Sequence, residues 1–318
     1  MDLRQRIASR QGDFVLFGLT PPRRSTPPQE VQRIADAALE RLKSVDVDGL
    51  VLYDIDDESD RNPGPRPFPY LPTMDPADFY LNHLGNWDRP VIVYRSVGKY
   101  SEVAISDWLS EQDPERVLSV FVGAPTRDRS VLTGLRAAQA VWRDTRPDVL
   151  LGGVAIPERH TSGNHEHLRL ITKQVNGCTF FVTQVVYDVT ASKDLVSDYF
   201  YTCREREIAP VPFVFTLSVC GSLRTLEFLQ WLGVDVPKWM QNDLTNSEDA
   251  LATSYEQCLS AAEELAQFCR RLGMPCGFNV ESVSNRRSEI EASIQLASAI
   301  RTESRRVPVQ RLPGSSDG

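Results

Sequence analysis

Carboxyl, amide and hydroxyl side chains recur in this chain at one kind of place, directly after a short apolar run. Gly18-Leu19-Thr20, Tyr53-Asp54, Tyr94-Arg95, Gly123-Ala124, Glu158-Arg159-His160, Gln184, Ser218 and Glu281-Ser282 all stand there. A carboxyl removed from water loses solvation of its charged form, so it can hold a proton near neutral pH and deliver it to a substrate atom. Glu281, then Asp54, then Glu158 are the candidates for such an acid. Each has a plainer alternative. Arg286 or Arg287 could satisfy Glu281, and Asp54 opens an acidic stretch (Asp56, Asp57, Glu58, Asp60) that would suit a solvated turn. Gln184 ends an apolar run, so its amide must find partners, either on a ligand edge or on neighbouring strands.

Three of the four histidines lie together in RHTSGNHEH, residues 159–167. With Glu158 or Glu166 they could form a metal site, but the spacing matches no zinc-enzyme signature, and solvated polar residues with Ser162 and Asn164 as helix caps are the preferred reading. No metal is therefore expected. Arg95, Lys99 and Tyr100, in YRSVGKYS, suit an anion such as a nucleotide phosphate. The six cysteines show no CxxC pair and no repeated spacing, which fits reduced thiols in a cytoplasmic protein.

The runs that must position these residues are FVLFGL (14–19), GLVLYD (49–54), PVIVYR (90–95), VLSVFVG (117–123), VLLGGVAI (149–156), TFFVTQV (179–185), PFVFTLS (212–218) and GFNVESV (277–283). Continuous β-branched and aromatic runs suit strands covered on both faces, as in parallel sheets. Helical spacing fills the intervals: Val31, Ile34, Ala35, Ala38, Leu39 and Leu42 form one stripe, and 130–143, 163–176, 222–232 and 248–273 read similarly, with Gly233 as a helix stop. Eight alternations in about 300 residues predict a single-domain α/β fold, a (β/α)8 TIM barrel over residues 1–307, with a loose tail at 308–318. An open doubly wound sheet is the alternative, but no GxGxxG follows the first run. In such a barrel the strand ends form one polar rim. Residues 55–74, rich in Asp, Pro and Gly, would make a long loop over it.

Composition narrows the function. The chain has 318 residues and a formal charge of −8, so it lacks the basic footprint of a nucleic-acid binder. No apolar run approaches the roughly 20 residues of a membrane span, and the polar start MDLRQRIASRQGD has no secretory core.

Four segments, in order, resemble the methylenetetrahydrofolate reductase family. Pro21-Pro22 is similar to that family's F-E-F-F-P-P opening, and IPERH (156–160) to its Y-P-E-x-H segment. LRLITKQVNGCTFFVTQVVYD (168–188) keeps Lys173, Gly177, Gln184 and Asp188 in step, and SLRTLEFLQWLGVDVPKWM (222–240) is similar to its helix followed by I-P-x-W. The resemblance implies a TIM barrel that reduces the methylene carbon of 5,10-methylenetetrahydrofolate with FAD and NAD(P)H. It implies that Gln184 bonds the pterin and that Phe228 stacks on the folate. It also places His160 and Lys173 near flavin ribityl and phosphate groups and Glu166 at an acidic flavin contact. Tyr53 and Glu158 join the substrate side, and Arg95 the cofactor side.

The departures matter as much. Gly18 stands where the family has its catalytic glutamate, Val122-Gly123-Ala124 where it has R-G-D, and Val93 or Tyr94 where a flavin-binding histidine is usual. The reading is a relative with lost or weakened FAD binding that passes hydride from NAD(P)H to folate. The alternatives are a flavin-dependent reductase of another imine and an inactive folate-binding barrel.

Overall fold

The computed structural model describes residues 1–57, 62, 64–123, 130–160 and 165–306. Eight parallel strands close in chain order: β1 (Val15–Leu19), β2 (Gly49–Leu52), β3 (Val91–Ser96), β4 (Val117–Val122), β5 (Leu151–Ala155), β6 (Cys178–Val185), β7 (Phe213–Ser218) and β8 (Cys276–Glu281). Pairing of Val15, Leu16 and Phe17 with Phe278, Asn279 and Val280 shuts the ring. Each expected run overlaps one strand, with ends that differ by at most two residues. Glu58, Asp60, Ala124, Ser162, Asn164 and the 308–318 tail lie outside the described residues.

The helices are α1 (Leu3–Ala8), α2 (Pro28–Leu42), α3 (Pro76–His83), α4 (Glu102–Ser110), α5 (Leu135–Thr145), α6 (Glu166–Val175), α7 (Val189–Glu205), α8 (Leu223–Trp231), α9 (Lys238–Asn246), α10 (Ala250–Leu272) and α11 (Arg287–Arg306). Several start on side-chain caps: Asp75 accepts from Ala77 N–H, Asp188 from Ala191 N–H and Ser222 from Thr225 N–H. Gly233, at φ 85°, ends α8 as expected, since a left-handed residue costs glycine little. The α2 stripe is narrower than its pattern: Val31, Ala35 and Leu42 are buried, while Ile34 is 38% exposed at its edge.

The pleat sorts residues into two layers. Leu16, Val51, Ile92, Tyr94, Leu118, Val120, Phe180, Val182 and Val214 fill the barrel, with Leu3 and Ile7 of α1 packed on the same cluster. Val15, Phe17, Leu50, Leu52, Val91 and Val93 face the helices. Gly152 makes room inside: a Cβ there would stand 2.5 Å from the Phe180 ring. Full burial of that ring contributes about 2–3 kcal/mol.

Candidate active site

Pleat parity carries Gly18, Tyr53, Tyr94, Thr216, Ser218, Asn279 and Glu281 to the inner wall at the C-terminal strand ends. Tyr53 and Tyr94 meet edge to face, with ring centroids 4.9 Å apart. Asn279 Nδ2 donates to the Tyr53 hydroxyl at 2.7 Å. Glu281 fills the space that Gly18 leaves open. A Cβ on Gly18 would lie 2.9 Å from Glu281 Cβ, 2.9 Å from Tyr53 Cε2 and 3.2 Å from Glu281 Oε2. The carboxyl from β8 thus sits against the backbone of β1, at the position where a side chain on residue 18 would begin.

Burial pushes Glu281 up to about 7, and the Tyr53 hydroxyl, which favours the charged form, opposes it only partly. Among the described residues, Glu281 Oε2, Asn279 Oδ1 and Ser218 Oγ are buried without a hydrogen-bond partner. Glu281 pairs with Ser218 across β7 and β8, and Asn279 with Thr216, so these atoms belong to adjacent strand ends. Buried polar atoms are normally satisfied, so three unsatisfied ones on one wall mark where a bound molecule supplies the missing partners.

Across the rim, Gln184 Nε2 donates to the Leu232 carbonyl at 3.0 Å. Glu158 accepts from Asp235 N–H at 3.4 Å, and burial pushes it, too, up to about 7. Phe228 packs edge to face on Phe68 at 5.3 Å and stacks near Trp231 at 6.4 Å. The loop after β2 reaches this same helix: Asn62 Nδ2 donates to Trp231 O, Trp231 Nε1 to Gly64 O, and Arg224 to Pro67 O. Arg66 lies over the rings of Phe228, Trp231 and Tyr70 at 5.0–5.5 Å. The loop therefore links β2 to α8, the two sectors that flank β1 and β8. It is also tied to the loop after β1, where Met74 N–H donates to Pro22 O and Arg23 bridges Thr73.

Several expected site residues point elsewhere. Asp54 is not a free acid: its carboxylate accepts from Ser96 N–H at 2.8 Å, from Tyr100 at 3.0 Å and from Lys99 Nζ. Both of its oxygens are engaged by these donors, which suits positioning rather than proton delivery. Arg95 lies on the outer face of β3, pairs with Asp75 at 2.5 Å and packs on the Tyr100 and Trp108 rings at 4.9 and 4.2 Å. It is 5% exposed and does not reach the rim. Lys173 Nζ donates to the Val154 carbonyl, and its stem packs against Gly153 on the outside of β5. Glu166 is buried in the first turn of α6, where it accepts from Arg169 at 3.3 Å. His160 bonds Asp198 of α7 at 3.1 Å. Arg95, Lys173, Glu166 and His160, expected at anion and flavin contacts, make their bonds within and between the outer elements. Asn279 and Ser218 are mouth residues that the sequence reading did not assign a role. Ser218 ends the seventh apolar run, and the alternation of β8 from Glu281 back to Asn279 is the sequence signal for the other.

Among the described residues no helix is long and apolar enough to cross a membrane. All six cysteines are buried, with no disulfide among them.

No protein-family model matches the chain, and no curated protein matches it either. Among solved structures, a GH113 beta-1,4-mannanase superposes with a TM-score of 0.50 at 9% identity, over 90% of this chain and 98% of that one, a likeness of fold alone. A protein from Clostridium thermocellum described as binding two copies of 5-methyl-5,6,7,8-tetrahydrofolic acid superposes with a TM-score of 0.84. It is 42% identical, over 95% of this chain and 99% of that one. At that identity, along nearly the whole of both barrels, the chain belongs to the family of this Clostridium thermocellum protein.

Proposed function

We propose that the barrel mouth binds a reduced folate and that Glu281 protonates it, so that 5,10-methylenetetrahydrofolate is reduced to 5-methyltetrahydrofolate by NAD(P)H. One observation carries the proposal: a carboxyl pushed to about 7 sits in the gap at Gly18, with an unpartnered oxygen on the mouth wall. The likeness to a barrel described as binding 5-methyl-5,6,7,8-tetrahydrofolic acid supports the ligand class. The motifs around Gln184 and Phe228 support the same class through their resemblance to methylenetetrahydrofolate reductases.

The chemistry follows from the bridge. The methylene carbon is bonded to two nitrogens, and one bond must break before hydride can add. Glu281 gives its proton to N10, the C–N10 bond breaks, and the positive charge rests on the N5 iminium. NAD(P)H, when bound, would supply the hydride for the new C–H bond of 5-methyltetrahydrofolate and leave as NAD(P)+, while water reprotonates Glu281. The Gln184 carbonyl oxygen faces the pterin's N–H groups while its amide nitrogen stays on Leu232. The residues of the loop after β2 that bond α8 help to keep water from the iminium. Lys173, Glu166 and His160 are engaged outside the barrel wall, and the Tyr94 ring occupies the interior. These residues do not fit a bound flavin.

Titration of the purified chain with 5-methyltetrahydrofolate, followed by calorimetry, tests the ligand. Oxidation of NADH or NADPH on addition of 5,10-methylenetetrahydrofolate tests the reaction, with one 5-methyl product per nucleotide expected. Binding without oxidation would leave a folate-binding barrel without turnover. Absence of binding would overturn the assignment altogether.

A further inference from the structure

The geometry points to a transition-metal site on the outer side of the barrel, formed by His160, His167 and Asp198; we propose that it binds one zinc-class divalent cation. The three residues come from different elements. His160 follows β5, His167 lies in the first turn of α6 and Asp198 lies in the second half of α7. Each offers one ligand atom, and the three atoms lie within 4.8 Å of one another. His160 Nε2 and Asp198 Oδ2 are 3.1 Å apart, close to the separation of two ligands on one ion with bonds of about 2.0–2.2 Å. The His160 and His167 rings meet at 84° with centroids 5.1 Å apart.

A second observation points to a ligand. Among the described residues, Nδ1 of His167 is buried and lacks a hydrogen-bond partner, while His160 meets Asp198 through Nε2. An imidazole lone pair buried without a donor, beside a histidine–carboxylate pair, is an arrangement that a cation resolves by accepting that lone pair. The His160 side chain is 9% exposed and that of Asp198 58%, so the site is walled by imidazole and open on the carboxylate side. Two imidazoles and one carboxylate, with room for water, suit zinc, cobalt or nickel rather than calcium or magnesium, which prefer oxygen-only shells. Bound there, the ion would fasten the segment between β5 and α6 to α7. The site differs from the one considered on sequence grounds, because its carboxylate comes from Asp198 rather than Glu158 or Glu166.

The test uses the untagged full chain and cobalt(II), whose visible bands report coordination, with zinc as competitor. One equivalent is expected, with imidazole-type bands that zinc abolishes. The H160A/H167A double variant should bind at least about 100-fold more weakly and D198N at least about tenfold more weakly, while H83A, altered at a distant histidine, should bind like the wild type. Circular dichroism confirms that each variant is folded. The proposal is overturned if the wild-type chain shows no stoichiometric cobalt spectrum, or if a folded double variant binds as the wild type does. Neither readout depends on folate or on turnover.

Discussion

Two sides of the mouth each bury a carboxylate, and they treat it in opposite ways. On the β2–β3 side, Asp54 meets Lys99, Tyr100 and the Ser96 N–H, and Arg95 meets Asp75 beside it. Burial pushes Asp75 up, but Arg95, the Ala77 N–H and Tyr100 together hold it below its ordinary value. On the β8–β1 side, Glu281 meets Tyr53 and the bare backbone of Gly18, and burial raises it to about 7. Burial alone therefore does not make an acid. Burial without a cation does, and the same rim supplies the contrast.

The largest effect that would break this comparison is on turnover. Glu281→Gln keeps the shape and removes the proton, so the rate of NAD(P)H oxidation should fall by about 10²–10⁴, with 5-methyltetrahydrofolate affinity nearly unchanged. Wild-type turnover in that variant would remove Glu281 from the mechanism. Asp54→Ala should do the reverse. It should lower unfolding free energy by about 2–4 kcal/mol in a denaturant titration, because Lys99 and the Ser96 N–H lose their partner, and it should leave the pH dependence of the rate in place. A rate collapse in a folded Asp54 variant would move the acid to the other side of the mouth.

The pH dependence of stability should also differ in sign. Glu281 has a folded value of about 7 against an ordinary 4.5, so the native state holds a proton that the unfolded chain has released. Its contribution is fully present below about 4.5 and is lost as pH rises through 7. Asp75, held below its ordinary 3.8, contributes stability present above that value and lost as pH falls. Melting temperatures measured from pH 4.5 to 8 should show a downward slope toward 7 that Glu281→Gln makes shallower, the remainder coming from Glu158, which burial also raises to about 7; an unchanged slope would refute the assignment. Turnover should likewise decline above about pH 7 as the acid ionises. Gly18→Ala sharpens the same point, because its Cβ would press on Glu281 and Tyr53 at 2.9 Å. A cost of about 1–3 kcal/mol in stability is expected, with a lower rate. The smallest effect is at Gln184, where alanine should weaken folate binding by about 0.5–1.5 kcal/mol while the affinity for the dinucleotide stays the same.

Much of the frame was legible in the sequence because each strand is a continuous β-branched or aromatic run covered on both faces. Glu281 could be nominated from its place at the end of the eighth run. Which neighbour faces inward was harder to read. Tyr94 and Arg95 are adjacent, and the pleat sends the tyrosine into the barrel and the arginine to Asp75 and Trp108. Lys173 kept step with a motif, yet its helix lies outside β5, so its ammonium meets the Val154 carbonyl. The partner of His160 is Asp198, 38 residues away on another helix, beyond the reach of any local spacing rule.

The most direct measurement is the infrared difference spectrum between the wild-type chain and Glu281→Gln, recorded across pH with and without 5-methyltetrahydrofolate. With Glu281 as the acid, a protonated-carboxyl band should persist to about pH 7 and shift when the folate binds. A band already lost by pH 5, or one that folate leaves unmoved, would contradict that role.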